Sequence, residues 1–252
     1  MCRSYNAVVR TPLPLLEPDP DSPFPAADMA LADPNGLLAV GGDLSPVRLL
    51  NAYRHGIFPW YSQGQPILWW SPDPRMLFRT DGVHLASRVR RELRRSGWVA
   101  RADTAFDAVI AGCAQSPRRG QDGTWISDAM LAAYGRLHQL GHAHSVEVFD
   151  GHTLVGGIYG VAVGRMFFGE SMFSARPTGS KAALAALACR LHEWGWPLID
   201  AQVESAHLRS LGAEALPRAA FLEAIAPLCG APVAHGTWTQ AFGRLPVRDL
   251  TR

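Results

Sequence analysis

Lysine is almost missing from this chain: of its 24 basic residues only Lys181 is lysine, and the rest are arginine. Two readings of that bias stay open, genome composition and a phosphate-rich partner suited to the rigid, permanently charged guanidinium fork. Cysteine is scarce and scattered (Cys2, Cys113, Cys189, Cys229), with no C-x-x-C and no histidine pair at ligand spacing, which argues against a disulfide framework and a zinc site. No run of about 18 apolar residues occurs, and residues 1–20 lack the continuous apolar stretch of a signal peptide. The expectation is a soluble, cytoplasmic protein with no membrane contact. A G-x-S-x-G elbow is absent, and Gly179-Ser-Lys181 carries only the end of a P-loop, so neither hydrolase nor P-loop chemistry is signalled.

What is present is a chain of 252 residues, 48% hydrophobic and 18% charged, enough for a sizeable core in one large domain or a small one plus a medium one. Net charge is only +2, yet arginines at 75, 79, 88, 90, 91, 94, 95 and 101 face only Asp81 and Glu92 over the same span. Twelve of the 19 prolines lie before position 75, where alternating helix and strand patterns begin. We therefore expect a mixed α/β (α+β) protein with a small N-terminal domain, 1–74, and a larger domain, 75–252.

Several elements are legible. Ser45, Pro46 and Gly56 bracket a helix with Val47, Leu50 and Tyr53 on its apolar face. Residues 84–96 make a helix with Leu85, Val89 and Leu93 inward and arginines outward. Ser127 caps a helix over 128–140, with Leu131, Tyr134 and Leu137 inward. Strands 144–149 and 153–159 form a hairpin across Asp150-Gly151, followed by a strand over 161–168. A helix over 180–194, a buried strand over 197–203 and a helix over 217–228 complete the pattern. The aromatic stretches 56–61 and 69–75 read as loops.

On strand alternation, Asp200 and Gln202 share one face, with Ala201 on the other. Either the carboxylate is satisfied at a strand end or the pair holds a nucleophile or a polarised carbonyl. Glu170 sits among Phe167, Phe168, Met172 and Phe173, where it needs an arginine partner or a ligand. His138, His142 and His144 lack a completing carboxylate and read as core or solvated residues rather than as metal ligands. Trp60, Trp69, Trp70 and Trp125 are either core plugs or platforms for unstacked bases.

Longer motifs add to this. Pro34-Asn-Gly-Leu-Leu-Ala-Val-Gly-Gly-Asp-Leu44, Tyr53-Arg-His-Gly-Ile-Phe-Pro-Trp60, Ile67-Leu-Trp-Trp-Ser-Pro-Asp-Pro-Arg75, Gly123-Thr-Trp-Ile126, His144-Ser-Val-Glu-Val148, Leu154-Val-Gly-Gly157, Phe168-Gly-Glu-Ser-Met-Phe-Ser174, Leu198-Ile-Asp-Ala-Gln202 and Ser210-Leu-Gly-Ala213 together resemble the leucyl/phenylalanyl-tRNA protein transferase family over about Phe24 to Leu222.

The resemblance implies a C-terminal domain of the acyl-CoA N-acyltransferase (GNAT-like) type. It also implies a cytoplasmic enzyme that moves Leu or Phe, less readily Met, from aminoacyl-tRNA to proteins beginning with Arg or Lys, marking them for N-end rule degradation. By motif position, Asp200 and Gln202 are implied to be catalytic and Trp60 and Trp125 to flank the terminal adenosine. Phe167, Met172 and Phe173 fall near the aminoacyl pocket, and Tyr53 and Glu170 fall within functional motifs. Ala201 stands where the family often has Cys.

Arg88, Arg91, Arg94 and Arg95 are expected to hold the tRNA backbone. No cofactor or metal is expected. Arg176-Pro-Thr-Gly-Ser-Lys181 does not supply the pyrophosphate loop of a CoA-dependent N-acetyltransferase, which is one alternative; a non-catalytic binder of tRNA ends is the other. Asp200→Asn and Gln202→Ala are both expected to leave the fold intact.

Overall fold

The computed structural model describes residues 13–116, 126–233 and 236–251. Strands β1 (Leu15–Leu16), β2 (Leu37–Gly41), β3 (Phe58–Pro59) and β4 (Leu68–Trp70) form a small sheet in the order β1-β2-β4-β3. Helix α1 (Pro46–Arg54) connects β2 to β3. Its start matches the sequence signal, for Ser45 Oγ accepts from the Arg48 N–H at 3.3 Å. The buried face is Leu49, Leu50, Ala52 and Tyr53, however, and Val47 is exposed. Trp69 is fully buried on β4, so the stretches read as aromatic loops contain strands. Strands of two or three residues among prolines and glycines carry no period long enough to read.

The large sheet begins at Arg75. It takes β5 (Arg75–Arg79), β6 (Val99–Ala102), β7 (Ala143–Asp150), β8 (Thr153–Val163), β9 (Met166–Ser174), β10 (Leu198–Gln202), β11 (Glu214–Leu216) and β12 (Leu245–Pro246) in the order β11-β5-β10-β9-β8-β7-β6-β12. The helices after α1 are α2 (Ser87–Arg95), α3 (Phe106–Gln115), α4 (Asp128–Gln139), α5 (Gly179–Glu193), α6 (Ala206–Ser210), α7 (Arg218–Cys229) and α8 (Trp238–Phe242). The mixed α/β organisation with a small N-terminal part is thus what the chain adopts. The Asp150-Gly151 turn joins β7 to β8 as expected. Strand β8 then runs on to Val163 and reverses at Gly164, φ +57°, so the strand expected over 161–168 is in fact the end of one strand and the start of the next.

Two cores flank the large sheet. One gathers Tyr53, Trp69, Val109, Tyr134, Phe168 and Phe221 from the small sheet, α1, α3, α4, α7 and β9; the other gathers Val89, Leu93, Val146, Phe167, Leu187 and Trp238 from α2, α5, α8 and the opposite face. Helix α5 lies very close to the sheet, its buried face including Ala182, Ala183, Ala186 and Ala188. A Cβ on Gly156 of β8 would stand 2.4 Å from the Gly179 backbone, so only glycine fits there. Helix α5 is also the crossover that makes β9 and β10 a parallel pair, whereas the other neighbouring strands described in this sheet run antiparallel.

Candidate active site

Strands β9 and β10 pair only at Phe167↔Ile199 and Phe168↔Asp200. Just beyond that point each strand departs from regular pairing. On β9, Gly160 faces Gly169 and Tyr159 faces Ser171, leaving Glu170 as an extra residue. On β10, Asp200 faces Leu77 and Gln202 faces Met76, leaving Ala201 over. Such bulges invert the side-chain alternation and re-aim residues. A cavity of about 240 Å³ opens where the strands part, lined by Glu170, Met172, Asp200, Ala201 and Gln202, with Ile158, Leu184, Ile199 and Phe78 as its apolar wall. Its size is below the roughly 300 Å³ at which sites for whole small molecules begin. It suits one bulky side chain.

Asp200 and Gln202 border the same cavity but make different commitments. Asp200 is fully buried and paired with Arg75 through two bonds, Nε to Oδ1 at 2.8 Å and Nη2 to Oδ2 at 2.6 Å. Its Oδ1 also accepts the Gln202 backbone N–H at 2.9 Å, holding that residue at φ +62°. Asp200 is therefore a committed anchor rather than an open base. Ala201, expected to face away, lines the cavity with Gln202. Arg75, the first arginine of the basic run, is fully buried between the rings of Phe58 and Phe221 and also donates to Gly56 O. With this ion pair, Asp200→Asn no longer qualifies as a variant that leaves the fold intact.

Gln202 Nε2 donates to Glu170 Oε1 at 2.8 Å. The phenols of Tyr53 and Tyr134 also lie at hydrogen-bond distance from the Glu170 carboxyl group, 2.8 Å and 2.7 Å away. Burial pushes its pKa up to about 7, against the lowering effect of these hydrogen bonds. With one Nε2 hydrogen given to Glu170, Gln202 keeps its Oε1 acceptor and a second N–H for the cavity.

The remaining expected residues are dispersed. Met172 lines the cavity, whereas Phe167 is buried against Trp238 and Phe173 is buried in the other core. Trp60 packs on Trp70 and is not among the cavity's lining residues. Trp125 lies outside the described residues. Arg88, Arg91 and Arg95 are exposed and line one groove with Glu92, while Arg94 donates to Thr251. His144 is held by Asp103 and stacked on Trp238, and His138 is stacked on Phe106. Sequence reasoning passed over Tyr134 and Arg75 as site residues. A tyrosine on an apolar face and an arginine opening the run Met76-Leu77-Phe78 are both polar groups that burial obliges to find a partner.

Comparison with known proteins fixes the family. The family model described as leucyl/phenylalanyl-tRNA protein transferase matches residues 77–226, and that of its N-terminal domain matches 42–73. The chain belongs to the leucyl/phenylalanyl-tRNA protein transferase family. Among its relatives, the leucyl/phenylalanyl-tRNA–protein transferase of Xanthomonas axonopodis pv. citri (strain 306) is 65% identical over 236 residues, covering 94% of this chain and 95% of that one. The transferase of Xylella fastidiosa (strain M23) is 61% identical, covering 94% and 97%. A solved GCN5-related N-acetyltransferase from Kribbella flavida is similar at 12% identity and a TM-score of 0.35, over 66% of this chain and 58% of that one. Among the described residues no helix is long and apolar enough to cross a membrane.

Proposed function

We propose that this member of the transferase family moves Leu or Phe, and less readily Met, from aminoacyl-tRNA to the α-amino group of proteins beginning with Arg or Lys. The product is marked for N-end rule degradation in the cytoplasm. The observation that carries the reading is the side-chain-sized apolar cavity bounded by an amide whose Nε2 is already fixed. Residues 1–74 act as the small domain and 75–252 as the catalytic one, with Tyr53 of the first reaching Glu170 in the second.

In this reading the Leu or Phe side chain fills the space between Ile158, Met172, Leu184 and Ile199, and the ester carbonyl lies at Gln202. Gln202 Oε1 accepts a hydrogen bond from the incoming amine and orients it. The amine nitrogen bonds to the carbonyl carbon, the ester C–O bond to the terminal ribose breaks, and the ribose oxygen leaves with the proton that the amine gives up. Asp200 acts through the Gln202 backbone. Trp60 offers a ring to the terminal adenosine, a role shared with Trp125. Incubation with labelled Phe-tRNA and a peptide beginning with Arg should place label on the peptide, and no label would refute the reading.

Arg88, Arg91 and Arg95 hold the tRNA by its phosphates. Changing all three to Ala should lower affinity for different tRNAs alike and reduce the salt slope by about 0.7 to 0.9 for each phosphate no longer neutralised. An unchanged slope in a binding titration would sink this assignment.

Met172→Ala widens the cavity and should shift the Leu to Phe preference by about tenfold, the scale of one or two methylenes. Competition between the two charged tRNAs measures it. Phe167→Ala does not test the same point, because Phe167 packs in the core.

A further inference from the structure

Behind Gln202 three side chains close a ring. Tyr53 Oη lies 2.5 Å from Tyr134 Oη and 2.8 Å from Glu170 Oε1, and Tyr134 Oη lies 2.7 Å from Glu170 Oε2. All three residues are buried. Each edge of the ring needs one proton, and each phenol owns only one. If Glu170 were a carboxylate, two protons would serve three edges. Two oxygens would then face each other lone pair to lone pair in a buried site, a costly arrangement.

A third proton on Glu170 Oε2 satisfies every edge. Glu170 donates to Tyr134, Tyr134 donates to Tyr53, and Tyr53 donates to Glu170 Oε1. That oxygen still has a lone pair for Gln202 Nε2. The surroundings fit. The nearby Asp200 carboxylate is committed to Arg75, and Tyr159 meets Tyr134 edge to face. Among the described residues the hydrogen-bond partners of Glu170 are Tyr53, Tyr134 and Gln202, none of them a cation.

We propose that Glu170 works as a neutral carboxylic acid in a three-proton ring with Tyr53 and Tyr134, and that this ring holds the Gln202 amide with Oε1 toward the substrate. Glu170, Tyr53 and Tyr134 are then positioning residues, and their role in transfer rests on the proposed function. Burial, which places the Glu170 pKa at about 7, agrees with the proton count. The ring is intact below that pH and opens as pH rises through it. Glu170→Gln would mimic the acid, the new amide N–H donating to Tyr134 and the carbonyl accepting from Tyr53 and Gln202.

Infrared difference spectra of the whole protein between about pH 5.5 and 8.5, a span bracketing the shifted group and lying above the ordinary Glu range, should show a carboxylic-acid carbonyl band lost as pH rises. The band should move on ¹³C-glutamate labelling and vanish in Glu170→Gln. It should survive Glu147→Gln, which controls for the other buried glutamate, held by Thr104 and Ser145. No band at low pH, or one indifferent to Glu170→Gln, overturns the proposal. In single-turnover transfer, Glu170→Gln should outpace Glu170→Ala by at least about tenfold, the worth of one retained hydrogen bond. Equal rates at equal tRNA affinity overturn the positioning role.

Should Glu170→Gln fail to fold, Tyr134→Phe removes one ring proton and must shift or abolish the band; an unchanged band overturns the ring. If the parent enzyme transfers no label at all, the proposed function fails, while the infrared result still decides the ring.

Discussion

Gln202→Ala should slow transfer about 100-fold to 1,000-fold at saturating substrates, the typical loss for one positioned polar group at an acyl-transfer centre. Stability and tRNA affinity should stay close to parental. Gln202 is only half-buried, and its backbone N–H keeps its bond to Asp200 whatever the side chain. Gln and Ala also pay the same cost of a left-handed backbone at φ +62°, so the substitution adds no strain. What disappears is the amide that joins Glu170 on one side to the cavity on the other. Gln202→Glu sharpens the test, since it sets a second carboxyl where an amide N–H now meets Glu170 at 2.8 Å. It should be no faster than Ala near neutral pH. Single-turnover rates beside tRNA affinities measure both, and near-parental transfer in Gln202→Ala would remove the residue from the mechanism.

The parts of the fold that could be read from the chain are those whose cause is local. Ser45-Pro46 starts a helix, Asp150-Gly151 turns a hairpin, and the spacing of Leu85, Val89 and Leu93 makes an amphipathic helix, because each signal lies within one or two turns of the element it sets. The site is different in kind. Asp200 and Gln202 drew attention and border the same cavity, but the bulge between them brings Ala201 to that cavity as well, which alternation would not have it do. The extra residues Ala201 and Glu170 exist only relative to neighbouring strands, and no residue type announces them. The partner of Asp200 is 125 positions away, and Glu170 is completed by phenols 117 and 36 positions away. Family motifs pointed to Tyr53 and Glu170 without showing that Tyr134 joins them. Basic charge was likewise legible as a count but not as a surface, for Arg75 is buried, Arg79 pairs with Asp81 and Arg94 is held by Thr251.

The buried pair gives the largest expected effect on stability. Asp200→Asn should destabilise the protein by about 3 to 5 kcal/mol, because it leaves the Arg75 guanidinium charged and uncompensated in the interior. Arginine has no neutral form to fall back on. For a chain of this size each kcal/mol lowers Tm by about 2 to 4 °C, so a fall of roughly 6 to 20 °C is expected. The pair also ties distant pieces together. Arg75 on β5 holds Asp200 on β10 and the Gly56 carbonyl that precedes β3, so both sheets meet at one guanidinium. Asp200→Asn should therefore loosen the Gln202 backbone as well and slow transfer even at temperatures where the variant is folded.

A double-mutant cycle separates the two effects. Replacing both partners, as in Arg75→Met with Asp200→Asn, removes the orphaned charge and should recover much of the stability lost in either single variant. It should not recover transfer, because the anchor of Gln202 is still altered. Thermal unfolding and single-turnover rates on the four proteins measure both quantities. Additive losses of stability would show that the pair is not the coupled unit its geometry describes, and parental transfer in the double variant would show that Asp200 has no part in holding Gln202.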